Sequence, residues 1–265
     1  MLPFCVGVCG WVWSHVNVFQ VSTFITLVNT VWVIAGLLKS RGYLRAGDAR
    51  KINHVTVLAG GVAWFNSADP LQDRVSGHVA VVILFGLLLM VCRWRELGLF
   101  RHAFHGYARE SDRPHDGFHV WFSWLVSITG LELVDVLFGS LDLTRCAALV
   151  LGLADAVGEP IGSRFGRHRY HVRDILTATP QQRSWEGSLA VATMTSLIVF
   201  LSFSPALWAG WGTSPLSPMA LRLPISILTG LLVSLVEAWT PHGLDNLTIP
   251  ISAAVLVRGF ALLAI

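Results

Sequence analysis

Phe19–Leu38 reads FQVSTFITLVNTVWVIAGLL, a run without a single charged residue. A helix that crosses a bilayer needs about 20 mostly apolar residues, and this stretch supplies them. Outward from it, Val55–Asn66 is a shorter, glycine-containing run, and Gly77–Cys92 is apolar throughout. Phe118–Phe138 comes after a long polar stretch, and Leu143–Ile161 contains two acids. Gly187–Trp208, Leu221–Trp239 and Leu247–Ile265 complete the set. The expected fold is all-α: a polytopic transmembrane helical bundle of about seven or eight spans. No internal repeat or low-complexity tract divides it, so residues 1–265 read as one integral membrane domain. Met1–Val18 lacks a basic stretch ahead of its apolar residues and reads poorly as a signal peptide. It is expected to form an extra short or re-entrant segment.

Composition points the same way. Of 265 residues, 54% are hydrophobic and 13% charged, against about 25% charged in soluble domains. With 11 Trp, 14 Phe and only 16 carboxylates, a soluble globule would expose many apolar side chains. A soluble enzyme, a disordered chain and a nucleic-acid-binding module are all disfavoured. Continuous apolar runs argue against an outer-membrane barrel, whose strands alternate. Cys5, Cys9, Cys92 and Cys146 show no CxxC spacing and read as apolar fillers.

The net charge of +3 is small, but its distribution is not random. Lys39–His54 holds Lys39, Arg41, Arg45, Arg50 and Lys51. Arg93–Gly117 holds Arg93, Arg95, Arg101, Arg109 and Arg113. Ser163–Glu186 holds Arg164, Arg167, Arg169, Arg173 and Arg183. These are alternate loops. The turns between them, near Ala68–Ser76, Gly139–Asp142 and Gly210–Met219, carry almost no cations. The positive-inside rule puts the basic loops, and by parity Thr240–Asn246, in the cytoplasm. The chemically capable residues cluster there too, whereas a transporter more often places ionisable residues near the bilayer midplane.

Four motifs carry chemistry. In Arg50-Lys51-Ile52-Asn53-His54, helical spacing brings Arg50, Lys51 and His54 to one face. That face suits phosphate oxygens, with the His as proton carrier; plain juxtamembrane anchoring is the alternative. In Asp155-Ala-Val-Gly-Glu159-Pro-Ile-Gly162-Ser-Arg164-Phe165-Gly166, two carboxylates four residues apart face one way. They repel unless a cation or protons neutralise them. Mg²⁺ is held by one or two carboxylates together with substrate phosphates. Gly158, Gly162 and Gly166 allow close approach of a neighbouring helix or a phosphate chain. Arg183-Ser184-Trp185-Glu186-Gly187-Ser188 opens a span, where a helix N-terminus favours anions. Glu237 ends a span, and Asp245-Asn246 opens the last one with two oxygen ligands for a cation, or with a cap. Glu132 and Asp135 lie in the same span on the outer side and are read as pairing across helices or lining a cavity. The histidines His102, His105, His115 and His119 lack metal-ligand spacing.

Together the motifs resemble the polyprenol kinase family: dolichol kinase, phytol and farnesol kinases, and CTP-dependent diacylglycerol kinase. The residues carrying the resemblance are Arg50, Lys51 and His54; Asp155, Glu159, Gly162, Phe165 and Gly166; Arg183, Glu186, Gly187 and Ser188; and Asp245 and Asn246. It spans roughly residues 39–265. It departs from the family at Ala154, where a Gly is usual, and at Arg183, where a Lys is usual. The resemblance implies a multi-pass membrane enzyme that moves the γ-phosphate of CTP, or another NTP, to a lipid alcohol with Mg²⁺ at the cytoplasmic face. Its implied catalytic residues are His54, Asp155 and Lys51. Its implied phosphate binders are Arg50, Lys51, Gly162, Arg164, Gly166, Arg183, Glu186, Gly187 and Ser188, and its metal ligands Asp155, Glu159, Asp245 and Asn246. The expected partners are the nucleotide, a lipid alcohol and membrane lipids, not nucleic acid. The related phosphatidate cytidylyltransferases carry a Lys- and Asp-rich signature after the last Asp. Here that region is an almost uncharged span with Arg258. CDP-lipid synthesis is therefore the first alternative, and a transporter or binding protein for a phosphorylated lipid the second.

Overall fold

The structure, a computed structural model, describes residues 11–12, 14–67, 69–108, 112–173, 180–202, 219–241 and 243–263. Most of the opening segment, Cys5, Cys9, Arg109, His242 and the loop over 210–218 lie outside the described residues. The protein is an all-α membrane bundle. Its helices are α1 (Val18–Ser40), α2 (Ala46–Trp64), α3 (Pro70–Arg93), α4 (Gly98–Tyr107), α5 (Asp116–Phe138) and α6 (Leu141–Leu149). A π-helical turn, Val150–Ala154, joins α6 to α7 (Asp155–Phe165). After a hairpin of β1 (Arg169–Arg173) and β2 (Pro180–Ser184) come α8 (Trp185–Ser202), α9 (Met219–Trp239) and α10 (Asp245–Leu263).

Six of these helices are long and apolar enough to cross a membrane: α1, α3, α5, α8, most of α9 and most of α10. Their outward side chains are apolar, as at Val82 and Val136, 71% and 77% exposed. An apolar exterior of this extent suits lipid rather than water. The remaining long segments, α2 and the α6–π–α7 run, carry the charges of the spans read as short or acid-containing. Short capped turns join α2 to α3 and α5 to α6 at the end away from the basic loops. Asp69 caps α3 by accepting from the Leu71 and Gln72 amides, with Pro70 at the first helical position. Gly139 ends α5 in the left-handed conformation at φ 59°, and Ser140 caps α6.

Among the described residues two larger cores divide the bundle, beside a small third one at Val134, Ala147 and Ala254. One centres on Trp32 and packs α1, α3, α4 and the start of α5 around Val28, Leu84, Leu88 and Phe104. The other joins the π-turn to α8, α9 and α10 through Leu151, Val199, Val233 and Ile249. Helix α2 is the wedge between them: Val57 packs on the first core and Leu58 on the second. That position matters because α2 carries the basic motif.

The structure differs from the sequence expectation in three places. Helix α2 starts at Ala46, two turns before the apolar run of Val55–Asn66 begins, and so carries the expected face of Arg50, Lys51 and His54 within its first half. The second basic loop contains the amphipathic helix α4, tied to α1 by Lys39, whose ammonium donates to the His105 and Ala108 carbonyls at 2.8 and 2.6 Å. The third basic loop contains the antiparallel hairpin, paired from Arg169 with Ser184 to Arg173 with Pro180.

Candidate active site

Arg50, Lys51 and His54 lie on the face of α2 turned toward α7. Lys51 is 5% exposed, and a buried ammonium needs counter-charge. Its Nζ donates to Asp155 Oδ2 at 2.6 Å and lies 3.2 Å from Glu159 Oε2. Arg50 donates to Glu159 Oε2 at 2.7 Å. Thus the two α7 carboxylates, which would repel each other alone, are held by two cations from one turn of α2. His54 Nε2 stands 3.8 Å from Asp155 Oδ2, beyond hydrogen-bond reach, and is buried without a partner. Burying a ring nitrogen unpaired is costly, and a ligand that hydrogen-bonds it would relieve that cost.

The π-turn sits immediately before Asp155. Such a bulge adds a residue to a helical turn and rotates the residues beyond it; π-bulges recur at functional sites. At its centre, Gly152 packs against α2: an added Cβ would lie 2.8 Å from the Leu58 Cβ. The glycine stripe of α7 meets α8. A Cβ on Gly187 would sit 3.1 Å from both the Gly158 carbonyl and the Gly162 Cα. The close approach that the spacing allowed is therefore between two helices, and it brings the α8 N-terminus beside the carboxylates.

At that terminus Ser184 Oγ accepts from the Gly187 amide at 3.1 Å. Arg183 Nη1 lies 2.8 Å from Glu237 Oε1 on α9. Tyr170 of β1 hydrogen-bonds Ser188 at 2.6 Å, and Arg169 donates to Gln182 across the hairpin at 2.9 Å.

These groups surround a polar cavity of about 420 Å³. It is lined by Arg50, Asp155, Glu159, Arg183, Glu237 and Asp245, with Gly162, Gly187 and Ser188 in its wall. A second cavity of about 290 Å³ is mostly apolar and runs between α2, α3, α5 and α10. Val57, Leu58, Phe122, Trp124 and Ile128 line it, and His54 stands at its head. Arg50 and Asp245 border both cavities. Asp155 and His54 therefore face different spaces across a single boundary.

Not every sequence candidate joins this arrangement. Arg164 pairs with Asp48 at 2.6 Å and ties α7 to the start of α2, outside the polar cavity. Gly166 packs on Ser184. Glu186 accepts from the Arg167 and His168 amides and from the His168 ring, closing the hairpin. Asn246 donates its amide to Ser123 Oγ at 2.8 Å and lines the apolar cavity. Conversely, Arg169, Gln182 and Glu237 line the polar cavity although only Glu237 stood out in the sequence. Strand β1 does alternate, with Arg169, His171 and Arg173 exposed and Tyr170 and Val172 turned inward, but five residues are too short a run to stand out in a loop read for its cations.

Among the described residues no three His, Cys, Asp or Glu side chains gather into a protein-only metal cage. The donors still suit Mg²⁺, which keeps waters and phosphate oxygens and takes one or two carboxylates. Asp155 and Glu159 from α7 and Asp245 from α10 face the same cavity, and all three act on Arg50.

No protein-family model matches the chain, and no solved structure does. Over 124 residues, 45% of this chain, it is 30% identical to a phytol kinase of Synechocystis sp.. That stretch is 46% of the relative, so the chain matches about half the length of the curated protein it is similar to.

Proposed function

We propose that this protein is a membrane lipid kinase that transfers the γ-phosphoryl group of CTP, or another NTP, to an isoprenoid or related lipid alcohol. The observation that carries the reading is the junction of two cavities of opposite character, with Asp155 on the polar side and His54 on the apolar side. The polar cavity suits a triphosphate, and the apolar one suits a hydrocarbon chain whose hydroxyl arrives at His54. The similarity to a phytol kinase agrees with it.

In this reading Arg50 and Arg183, which line the polar cavity, bind phosphate oxygens, Lys51 adds its charge from behind Asp155 and Glu159, and the α8 N-terminus at Gly187 and Ser188 adds backbone donors. Bound Mg²⁺ would neutralise phosphate charge, held by Asp155 and Asp245, with Glu159 beside them. The lipid oxygen forms its bond to the γ-phosphorus as the bond to the β–γ bridging oxygen breaks, releasing NDP. His54 Nε2 takes the hydroxyl proton. Phosphoryl transfer asks the protein mainly for positioning and charge stabilisation, and this site offers both. The active site faces the cytoplasm by the charge asymmetry of the loops. Cysteine labelling at Arg45 and Arg173 checks this: both should react with an impermeant reagent only after permeabilisation.

The test of function uses purified protein, Mg²⁺ and a panel of lipid alcohols with labelled CTP. Label from the γ-position in lipid supports the kinase. The α-label in lipid means cytidylyl transfer, and no label in lipid with retained lipid binding leaves a transporter or binding protein.

A further inference from the structure

The apolar cavity does not stop at mid-bundle. A further groove of about 160 Å³ continues it between α2, α3, α5 and α6. The two share Val57, Leu58, Val81, Leu131 and Glu132 as lining residues. Glu132, the polar member, is turned to His78 at 3.0 Å, and both side chains are about two-fifths exposed, so the pair edges the passage. Beyond lie Asp73 and Arg145, buried and paired at 2.9 Å, and Arg74 with Asp135 at 3.0 Å. These four residues line the groove's end, and hydrocarbon gains nothing by displacing ion pairs, so the groove ends there.

We infer that the lipid tail runs from His54 through both cavities and that the ion-paired end of α3, α5 and α6 sets its maximum length. The inference rests on the kinase reading for the position of the hydroxyl. The α2 wall from His54 to Phe65 is about 16 Å long, and the α5 wall from His119 to Asp135 about 24 Å, at 1.5 Å per residue. An isoprene unit adds four chain bonds of roughly 1.5 Å, about 5 Å when extended in zigzag. The passage therefore holds about three to five units. A tail of eleven units must leave the protein between helices. A two-unit tail leaves the deep groove empty.

Gly77 is the handle for a test. It lines the deep groove, and a Cβ built on it meets nothing within 4 Å. Gly77→Phe puts an aromatic ring into that groove without a backbone clash. Phosphorylation of two-, four- and eleven-unit prenyl alcohols is compared in the full-length protein in nanodiscs. The expected result is that wild type prefers the four-unit alcohol. Gly77→Phe should lower its kcat/KM relative to the two-unit alcohol by about tenfold or more, since even single methylenes discriminate at 10–200-fold. A folded variant with an unchanged ratio overturns the inference. A second measurement needs no turnover: a four-unit alcohol with a terminal diazirine is photolysed in wild-type protein. Label on α3 or α6 around Arg74–Val81 or Leu141–Ala148 supports the path, and label confined elsewhere overturns it. If no alcohol is phosphorylated while the diazirine still labels that groove, the kinase reading fails and the tail path stands.

Discussion

The bundle holds two clusters of ionic residues at its opposite ends, built from the same kinds of side chain. At one end Asp155 meets Lys51 at 2.6 Å, and at the other Asp73 meets Arg145 at 2.9 Å. The difference lies in what surrounds each pair. Asp73 Oδ2 also accepts the Ser67 amide, and Arg145 also donates to the Phe65 carbonyl. These bonds tie the end of α2, the start of α3 and α6 together, so the pair is closed by backbone partners from three elements, although Asp73 Oδ1 has no hydrogen bond and both residues line the end of the deep groove. At the first end, Lys51 is shared between two carboxylates, His54 Nε2 has no partner, and an open polar cavity lies alongside. A closed pair holds a fold together, whereas an open one can exchange partners with a ligand. Intramembrane acids alone do not say which is which.

The sharpest way to break this contrast is to neutralise each acid. Asp155→Asn should lower turnover by about 10³-fold or more, since metal and phosphate positioning supplies several kcal/mol. The protein should stay folded because Lys51 keeps Glu159 at 3.2 Å. Near-normal activity across a Mg²⁺ titration would remove Asp155 from the site. His54→Ala should lower kcat by about 10²–10⁴-fold, the usual range for general-base assistance, with little change in the KM for CTP. If the KM moves instead, His54 is a phosphate ligand and Asp155 becomes the candidate base.

The opposite acid should behave in the opposite way. Asp73→Asn strands a buried guanidinium, which ordinarily costs about 3–5 kcal/mol. Asp142, 3.7 Å from Arg145, softens this toward the lower figure. Thermal unfolding in detergent reads the loss, and the folded fraction should phosphorylate a two-unit alcohol, whose tail stops short of that end, at close to the wild-type rate per molecule. A smaller effect is expected at Lys51→Met. Lys51 holds Asp155 and Glu159 from behind the cavity wall, so losing its charge should raise the KM for CTP by roughly tenfold and lower thermal stability through the unpaired Asp155, while Arg50 and Arg183 still line the cavity.

Much of the fold is legible in the sequence, because long apolar runs and helical spacing are local properties. Phe19–Leu38 became α1 with two residues more at its end and one at its start. The common face of Arg50, Lys51 and His54 comes from the 3.6-residue period alone. What was not legible is non-local. Lys51 and Asp155 are 104 residues apart in sequence, and no spacing rule pairs them. The π-turn before Asp155 has no residue signature in Val150–Ala154. The sequence singles out Arg164 for phosphate and leaves Arg169 among the loop cations, but the helix end aims Arg164 at Asp48 and the strand places Arg169 on the cavity wall. The stripe Gly158–Gly162–Gly166 allowed either a helix or a phosphate as neighbour, and only the packing of Gly187 shows that a helix takes that place.

The gentlest test of the contrast concerns the third ionic pair at the far end, His78 with Glu132. It resembles its neighbours by geometry, at 3.0 Å, yet its side chains are 42% and 43% exposed where Arg145 and Asp73 are 5% and 1%. A part-exposed glutamate that loses its partner can take up a proton, so removing His78 strands less charge than removing Asp73 strands at the buried guanidinium, which stays charged. His78→Leu should therefore shift thermal unfolding by at most a few degrees, far less than Asp73→Asn. It should also leave the KM for CTP unchanged, because the pair is on the other side of the membrane from the phosphate-binding residues in the proposed topology. An unfolding loss equal to that of Asp73→Asn would mean that the far-end ions act as one network. The division into a closed structural end and an open chemical end would then have to be drawn around all three pairs rather than around the buried one.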